Sequence, residues 1–290
     1  MAQAYLVRDA LCAAHGWSHD AIRIVDVTAS GDRIQDRPLA DFGGKALWTK
    51  ELDQWLFEGS IDFAVHSMKD VETIRPPELT IAAMMPRADV RDRLVGAASI
   101  SAMPKGARVG TSSPRRTAQL KRLRPDLNIV LLRGNVGTRL AKIERGEADA
   151  TLLAAAGLDR LGMAETGVAI GIDTLLPAPS QAAVGIECRT DDDRVRALLA
   201  TINDPTTFAC VSTERSWLKA LGADCHSSVA ALAVPEGDKM RLTAEILMPD
   251  GSASVRDNIL LDASDNGTAE ALARTMLGQA SPAMRALFHA

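Results

Sequence analysis

A lysine and an aspartate, Lys69 and Asp70, stand side by side shortly after a mostly apolar run at residues 61–65. A carboxylate at the end of a buried strand is costly unless it meets a cation or a ligand. Asp70 can therefore stabilise a developing positive charge or transfer a proton, with Ser67 and Lys69 beside it. A surface ion pair explains the pattern equally well, and the pattern alone favours neither interpretation.

Two arginines lie in the first turn of a helix that residues 110–116, GTSSPRR, predict. Ser113 is a helix-capping residue, and Pro114 suits the first helical position. Free N–H groups and the helix dipole make such a helix start an anion site, and arginine binds carboxylates through two parallel hydrogen bonds. A solvated basic helix end is the alternative. The residues predicted to bind the anion are Thr111, Ser112, Ser113, Arg115 and Arg116.

A second turn of this kind occurs in residues 132–139, LRGNVGTR, where a predicted strand passes through a Gly-rich turn into a helix. It is not a phosphate-binding P-loop, because no Gly-Lys-Ser/Thr sequence follows. Such a turn is weak evidence on its own. Beside the first turn, however, Arg133, Gly134 and Arg139 predict a ligand that carries several carboxylates.

Positive charge is concentrated around both turns. Residues 105–145 hold eleven basic and two acidic side chains in a chain of net charge −4, so this stretch carries +9 and the rest −13. The stretch has no Phe, Trp or Tyr and so lacks the platforms on which single-stranded nucleic acids stack. A pI near 5.8 also argues against a general polyanion binder. We expect a pocket for a small, multiply charged anion and no nucleic-acid partner.

Composition indicates a folded protein of the cytoplasm. The chain has 290 residues, 47% hydrophobic and 24% charged, which is enough to bury two or three modest cores. Its apolar stretches are short and broken by charges, so we expect no membrane span, and the amino terminus shows no signal-peptide pattern. No sequence pattern indicates an oligomer, and we expect a monomer.

The four cysteines show neither disulfide nor metal-ligand spacing, which suits a reducing compartment and predicts no metal site. Cys225 has small or polar neighbours, which favours an exposed thiol over a buried apolar residue. Asp224 would raise the pKa of this thiol and His226 would lower it, so charge alone does not decide its reactivity. The remaining cysteines lie in apolar patterns and are interpreted as structural: Cys12, Cys188 and Cys210.

Two kinds of architecture must position these residues. Hydrophobic periodicity predicts, in order, a helix from residue 2 to Gly16, a strand at 22–27, a helix at 45–57, and strands at 61–65 and 79–84. Strands at 108–111, 129–132 and 150–153 then alternate with helices at 114–123, at 136–145 and up to residue 161. This alternation indicates a mainly parallel sheet with helices on both faces. Helices follow at 194–202 and 213–221. The tail after them is an α+β module, with antiparallel strands predicted at 229–234, 241–248 and 254–261 and a last helix at 269–287.

Seven motifs, in this order along the chain, resemble those of the porphobilinogen deaminase family, also called hydroxymethylbilane synthases. They are GGKALWTKEL, IDFAVHSMKDV, RVGTSSPRR, LLRGNVGTRL, AAAGLDRLG, AAVGIECR and ERSWLKALGADC. The resemblance implies an α/β fold, with two periplasmic-binding-protein-like α/β domains around a cleft and a small α+β C-terminal domain. The expected domains are domain 1 at residues 1–86 and 181–202, domain 2 at 87–180 and domain 3 at 203–290.

The resemblance also implies a reaction. Family members join four porphobilinogen molecules head to tail on an enzyme-bound dipyrromethane, release ammonia, and hydrolyse the product to hydroxymethylbilane. Asp70 matches the catalytic aspartate, which stabilises the cation formed as ammonia leaves. Cys225 matches the cysteine that holds the dipyrromethane cofactor through a thioether. Cofactor or substrate contacts are implied for Lys45, Ser67, Lys69, Arg115, Arg116, Arg133, Arg139 and, in the hinge region, Gln181.

The chain departs from the family pattern at several points. Family members begin with a short strand whose Arg and Ser contact the cofactor, and domain 1 is expected to lack that strand. Ser180 and Ala182 replace glycines that flank Gln181. The alternative to an enzyme is a non-catalytic or impaired family member that binds organic anions. Such a binder explains the basic stretch, but it explains neither Asp70 nor a cysteine in an appended domain.

Overall fold

The computed structural model describes residues 1–26, 46–224, 226–263 and 265–288, with the backbone alone for residues 46–48. The chain divides into two compact units. Unit 1 comprises Met1–Ala88 and Ala183–Ala209, and unit 2 comprises Asp89–Ala182 and Cys210–Ala290. The chain thus leaves unit 1 after its first 88 residues and returns to it almost a hundred residues later.

Within the described residues of unit 1, a three-stranded antiparallel sheet forms the centre. Its strands are β1 (Phe63–Ser67), β2 (Leu79–Met84) and β8 (Val184–Arg189), in the order β1-β8-β2. The helices packed on it are α1 (Ala2–His15), α2 (Ala46–Phe57) and α6 (Asp193–Ala200). Five of the six residues of β8 are buried, as expected for a middle strand with helices on both faces.

The two faces of this sheet are covered by different helices. On one face, Ile186 of β8 packs in a core with Leu11 of α1. On the other face, Ala64 of β1 packs against Leu56 of α2. Successive residues of a strand point to opposite faces, so Glu187, which pairs with Ala64 in the ladder, points to the α2 face.

A five-stranded mixed sheet forms the first part of unit 2. Its strands are β3 (Asp92–Val95), β4 (Arg108–Gly110), β5 (Asn128–Val130), β6 (Ala150–Ala154) and β7 (Val168–Ala169), in the order β5-β4-β6-β3-β7. β4 runs parallel to β5 and β6, whereas β3 is antiparallel to β6 and β7. The helices that follow the parallel strands are α3 (Pro114–Leu123), α4 (Val136–Glu144) and α5 (Ala155–Asp159). The core includes Leu94, Val109, Leu120 and Leu152.

The last part of the chain is an antiparallel sheet with helices. Its strands are β9 (Val229–Glu236), β10 (Lys239–Leu247) and β11 (Ser254–Leu261), in the order β11-β10-β9. The helices around it in sequence are α7 (Pro205–Ala220), α8 (Asn266–Gln279) and α9 (Pro282–Arg285). The predicted fold class, α/β followed by a C-terminal α+β part, is confirmed. The three-domain division stays a prediction.

One predicted strand is wrong, that at residues 22–27. Residues 22–26 form no strand, and residue 27 lies outside the described residues. Ile22 instead closes a 3-10 turn, where its N–H donates to His19 O at 3.2 Å. No described strand pairs with the residues that follow, and the segment lines a cavity of about 480 Å³ together with residues 60–65.

Two helix boundaries also differ from prediction. α7 begins at Pro205, eight residues earlier than predicted, because Asp204 caps the helix by accepting the Thr207 N–H at 2.6 Å. The predicted last helix is two helices, because Ala280 and Ser281 both have an extended backbone and Pro282 disfavours the helical conformation for Ser281 before it.

Three strands, β3, β7 and β8, are absent from the sequence prediction. In β8, Glu187 interrupts an otherwise apolar run, and in β3, Asp92 lies between Arg91 and Arg93. Because β3 and β7 run antiparallel to their neighbours, the sheet predicted as mainly parallel is mixed.

Candidate functional site

A single 3-10 turn follows β1 directly and carries Met68, Lys69 and Asp70. We call it the Asp70 turn. Ser67, another predicted site residue, is the last residue of β1. The backbone N–H of Met68 donates to Ala183 O at 3.1 Å, which ties the turn to the residue before β8. Both charged side chains are half-buried. The structure thus brings three predicted site residues of unit 1 together on one anchored turn.

The side chain of Met68 is fully buried and fixes the Asp70 turn on the sheet. It lies against Gly185 of β8, where a Cβ would collide with Met68 Sδ and come within 2.9 Å of Cγ. The close approach therefore requires glycine at this position.

A buried carboxylate lies on the same face of β8 as Gly185. Glu187 is fully buried, and its Oε2 lies 3.0 Å from His66 Nε2. Arg75 donates to both carboxylate oxygens, from Nε at 2.8 Å and from Nη2 at 2.9 Å. Burial alone would raise the pKa of Glu187, but the hydrogen bonds of His66 and Arg75 outweigh it and lower the pKa to about 2. Glu187 is therefore ionised at neutral pH.

The two predicted anion-binding turns lie together at one edge of the unit 2 sheet. β4 and β5 are parallel neighbours, and their pairing continues past both strands. The Thr111 N–H donates to Val130 O at 3.0 Å, and the Leu132 N–H donates to Thr111 O at 3.4 Å. Residues 111–113 and 133–134 consequently leave the sheet side by side, at the strand ends where α/β proteins bind ligands.

Each turn leads into a capped helix. At the start of α3, Ser113 Oγ accepts the Arg116 N–H at 3.4 Å. At the start of α4, Asn135 Oδ1 accepts the Thr138 N–H at 2.9 Å. Ser112 is exposed ahead of α3. Two helix starts at one sheet edge direct two positive dipole ends toward the same region.

Gly134 gives the second turn its shape. Its φ of 111° is rarely adopted by other residues, and a Cβ there would lie 2.6 Å from Thr138 Cγ2. The Gly134 carbonyl accepts a hydrogen bond from Arg139 Nε at 2.8 Å. Arg139 and Arg133 are both half-buried, on either side of this turn.

The two arginines in the first turn of α3 are bonded to a buried carboxylate. Asp92 of β3 accepts hydrogen bonds from Arg115 Nη2 at 2.8 Å and from Arg116 Nη2 at 2.7 Å. Arg115 and Arg116 are only 3% and 6% exposed. Further N–H groups of theirs donate to Leu176 O and Leu152 O, at 2.9 and 2.8 Å. The sequence predicts that both guanidinium groups bind a ligand directly, whereas here most of their donors bond to Asp92, side-chain amides and backbone oxygens, and Arg115 Nε is buried without a partner.

One carboxylate against two guanidinium groups leaves a surplus positive charge in this Asp92 cluster, defined as Asp92, Arg115 and Arg116. Burial alone would raise the pKa of Asp92, but the two arginines hold it well below its usual range. Asp92 pairs with Ala154 at the C-terminal end of β6, so the cluster lies at the same sheet edge as the two turns. Part of this surplus charge is offset within the protein, because the fully buried carboxylate of Glu245 acts electrostatically on Arg115.

Gln181 extends the Asp92 cluster. Its Nε2 donates to Asp92 Oδ1 at 2.9 Å, and the residue is 1% exposed. The neighbours Ser180 and Ala182 have φ values of 64° and 70°, in the left-handed region that residues other than glycine rarely adopt. The backbone around Gln181 is therefore strained on both sides.

Sequence reasoning missed Asp92 and Glu187 as members of these sites. For Glu187 the available signal is a carboxylate within a short apolar run, since a buried charge is rarely left unpaired. Asp92 lies between Arg91 and Arg93, so this signal does not mark it. The pattern does not identify the partners, because Arg115 lies 23 residues from Asp92 and Arg75 lies 112 residues from Glu187.

Two predicted site residues, Lys45 and Cys225, lie outside the described residues. Beside Cys225, the carboxylate of Asp224 accepts the His226 N–H at 2.8 Å, and both residues are exposed. The other three cysteines are buried. Burial raises the pKa of Cys188 to about 11, so this thiol is protonated and unreactive at neutral pH.

Comparison with known proteins covers nearly the whole chain. A family model described as "Porphobilinogen deaminase, dipyromethane cofactor binding domain" matches residues 1–197, and one described as "Porphobilinogen deaminase, C-terminal domain" matches residues 208–278. The porphobilinogen deaminase of Sphingopyxis alaskensis is 55% identical over 294 residues, which cover 99% of this chain and 93% of the relative. That of Paracoccus denitrificans is 51% identical over 255 residues, which cover 87% and 82%.

Among solved structures, the periplasmic VFT2 domain of BvgS from Bordetella pertussis has a TM-score of 0.38 and 15% identity, over 69% of this chain and 76% of that one. This similarity is too low to support an argument, whereas the matches in sequence are extensive. The chain belongs to the porphobilinogen deaminase family.

Proposed function

We propose that this chain is a hydroxymethylbilane synthase, which joins four porphobilinogen molecules on an enzyme-bound dipyrromethane and then hydrolyses the product to hydroxymethylbilane. Each addition forms a carbon–carbon bond between two pyrroles, breaks the carbon–nitrogen bond to the leaving ammonia, and releases a proton from a ring carbon. Such an enzyme must stabilise a transient positive charge on the incoming substrate and bind several carboxylates.

The observation that carries the proposal is the position of Asp70 on its anchored turn. A carboxylate held in place before the reaction stabilises a developing cation without reorganising, which makes it effective in a transition state. The buried Met68 side chain and its backbone bond to Ala183 hold the Asp70 turn in this way. In our proposal Asp70 stabilises the pyrrole cation as ammonia leaves, and Ser67 and Lys69 contact substrate or cofactor.

The strand-end edge of unit 2 suits a ligand with several carboxylates. Dipyrromethane has two carboxylates on each of its two rings. Two helix starts, the surplus charge of the Asp92 cluster and the guanidinium groups of Arg133 and Arg139 are complementary to these groups. We propose that Thr111, Ser112, Ser113, Arg133, Gly134 and Arg139 hold them. Arg115 and Arg116 then act indirectly, through the positive potential of the Asp92 cluster, and Gln181 orients the Asp92 carboxylate.

We propose that Cys225 carries the dipyrromethane through a thioether, and that Lys45 is a further contact. When bound, the dipyrromethane supplies the ring carbon on which the pyrrole chain grows. The three buried cysteines support this assignment, since Cys188 is unreactive at neutral pH and the residues on either side of Cys225 are exposed.

Across the described ranges of the chain, no helix combines the length and the apolar character that crossing a membrane needs. From charge, composition and the cysteine pattern we further propose a cytoplasmic monomer whose partner is the small molecule porphobilinogen and not a nucleic acid.

The test is the intact mass of the purified protein under denaturing conditions, compared with Cys225→Ser and with the matched control Cys210→Ser, which alters a buried thiol. We expect the mass of two linked pyrroles on the wild type and the control, and none on Cys225→Ser. If the wild type stays unmodified after incubation with hydroxymethylbilane but binds carboxylates saturably, the chain is an anion-binding family member and the proposal is wrong.

Asp70→Asn tests the catalytic assignment. We expect a modified mass, an unchanged fold, and turnover reduced by about 10²–10⁴-fold, as for other positioned proton-transfer or charge-stabilising groups. Turnover close to that of the wild type would remove Asp70 from the mechanism.

A further inference from the structure

One buried carboxylate contacts both ends of the segment that carries Asp70. This segment, residues 67–74, runs from the end of β1 through the Asp70 turn. His66 directly precedes it and Arg75 directly follows it. Glu187 Oε2 lies 3.0 Å from His66 Nε2, and both Glu187 oxygens accept hydrogen bonds from Arg75 at 2.8 and 2.9 Å.

We call the contacts of Glu187 with His66 and Arg75 the clamp. Arg75 connects it to the rest of unit 1. Its Nη1 donates to Glu72 Oε2 at 2.8 Å, and its Nη2 also bonds to Asp53 of α2. The Arg75 side chain is only 8% exposed, and that of Glu187 is fully buried. Ion pairs that are shielded from water in this way hold their geometry far better than surface pairs, which are weak and exchange with solvent.

We propose that Glu187 is a positioning residue for the reaction: by holding His66 and Arg75 at once, it fixes both ends of the 67–74 segment and thereby the place of Asp70. This inference rests on the proposed role of Asp70. Positioning matters because a displacement of about 1 Å in a catalytic group can lower a rate by about 100-fold. The His66 and Arg75 contacts account for a charged residue in the middle strand of the sheet, where an apolar residue would pack as well.

The neighbouring residue of β8 provides a matched control. Ile186 lies one position earlier and is buried in the core on the opposite face of the sheet. Ile186→Ala therefore weakens the same strand without touching the clamp. Glu187→Gln keeps the shape of the side chain but cannot accept two hydrogen bonds from Arg75 at both oxygens.

The experiment compares wild type, Glu187→Gln, Ile186→Ala and Asp70→Asn by steady-state kinetics and by hydrogen exchange of the 67–74 segment. For Glu187→Gln we expect kcat to fall about 10–100-fold with KM within about twofold, and exchange of 67–74 to become faster. For Ile186→Ala we expect a lower Tm, with kcat, KM and exchange of 67–74 unchanged at temperatures where it is folded.

Glu187→Gln leaves Arg75 without its main counter-ion and is at risk of misfolding. The double variant Glu187→Gln with Arg75→Gln removes the buried guanidinium together with its fully buried counter-ion and still abolishes the clamp. The carboxylates that then lose a partner are Asp53 and Glu72, whose side chains are 10% and 38% exposed. We expect the double variant to show the same loss of kcat and the same faster exchange.

The inference is overturned if the double variant folds with normal exchange in 67–74, or if it keeps its kcat. It is also overturned if Ile186→Ala lowers kcat and speeds this exchange equally, since the effect is then one of general stability. The Asp70→Asn variant tests the proposed role of Asp70 separately. Retained turnover there rejects the proposed role of Asp70, while hydrogen exchange still decides whether Glu187 holds the segment.

Discussion

The Asp92 cluster yields the strongest prediction on stability, that Asp92→Asn severely destabilises unit 2. The carboxylate accepts four side-chain hydrogen bonds: from Arg115 Nη2, from Arg116 Nε and Nη2, and from Gln181 Nε2, at 2.7–3.2 Å. Asparagine removes the charge and replaces one acceptor oxygen with an NH₂ group, which then faces these donors. Arg116 is then left buried without its counter-ion, and Arg115 keeps only the electrostatic effect of Glu245.

The expected magnitude follows from the burial of all three side chains, which are 1–6% exposed. Removing one partner of a buried ion pair costs about 3–5 kcal/mol, because an uncompensated charge stays behind. A loss of about 1 kcal/mol lowers Tm by about 2–4 °C in a protein of this size class, so we expect a decrease of roughly 6–20 °C. Because two arginines share this carboxylate, we expect a decrease in Tm in the upper part of this range.

The destabilisation caused by Asp92→Asn should depend on pH, in a direction that the pKa of Asp92 determines. The pKa of Asp92 is lower in the folded than in the unfolded protein, where an aspartate titrates near about 3.9. Its ionised form therefore stabilises the fold fully above the unfolded value, and this contribution is lost as the pH falls toward the folded pKa. The difference in the free energy of unfolding between wild type and Asp92→Asn should be constant from pH 6 to 8 and shrink below about pH 4.

The assay is urea unfolding at constant protein concentration, with Asp89→Asn as the control. Asp89 lies three residues away and pairs with Arg91, whose side chain is 47% exposed, so this variant should lose less than about 1 kcal/mol. If Asp92→Asn also lost less than about 1 kcal/mol at pH 7, or if its deficit grew on acidification, the reasoning on the buried cluster would be refuted.

Two further predictions concern backbone geometry. Ser180→Gly should raise the free energy of unfolding by about 0.5–1 kcal/mol, because relief of a left-handed φ exceeds the added chain entropy. The control Ala183→Gly, at a buried position without positive φ, should lower it by a similar amount. Equal changes in the two midpoints of urea unfolding would contradict this. Gly185→Ala should lower the free energy of unfolding by about 1–3 kcal/mol, because its Cβ overpacks Met68, and it should lower kcat. The control Gly157→Ala, with open space around its Cβ, should be neutral or stabilising. A fully stable and active Gly185→Ala would show that Met68 does not anchor the Asp70 turn.

Local signals explain which elements could be predicted. The bounds of α3 match the prediction because Ser113 and Pro114 are adjacent start signals, and Gly16 ends α1 with a left-handed C-cap. The strand ends that carry Thr111 and Arg133 also follow from the alternation of strands and helices. In each case the determinant lies within a few residues of the feature.

Features that depend on distant partners could not be predicted. The sequence indicates that Arg115 is free for a ligand, because nothing near it marks Asp92 as its counter-ion. Likewise, Glu187 reads as a lone charge in an apolar run until the ladder places it beside His66. Residues 22–26 have strand-like composition, but a strand also needs a paired neighbour, which composition does not provide.

The position of β8 between β1 and β2 has a consequence for synthesis on the ribosome. Among the described residues, β8 is the sheet partner of both β1 and β2, and it emerges about a hundred residues after the end of β2. Synthesis of those residues takes roughly 5–20 s at ordinary elongation rates. The five-stranded sheet of unit 2 is contained entirely within Asp92–Ala169 and needs nothing from either end of the chain. The sheet begun first is therefore completed second, and until β8 emerges the strand edges of β1 and β2 stay unpaired and in need of protection by a chaperone.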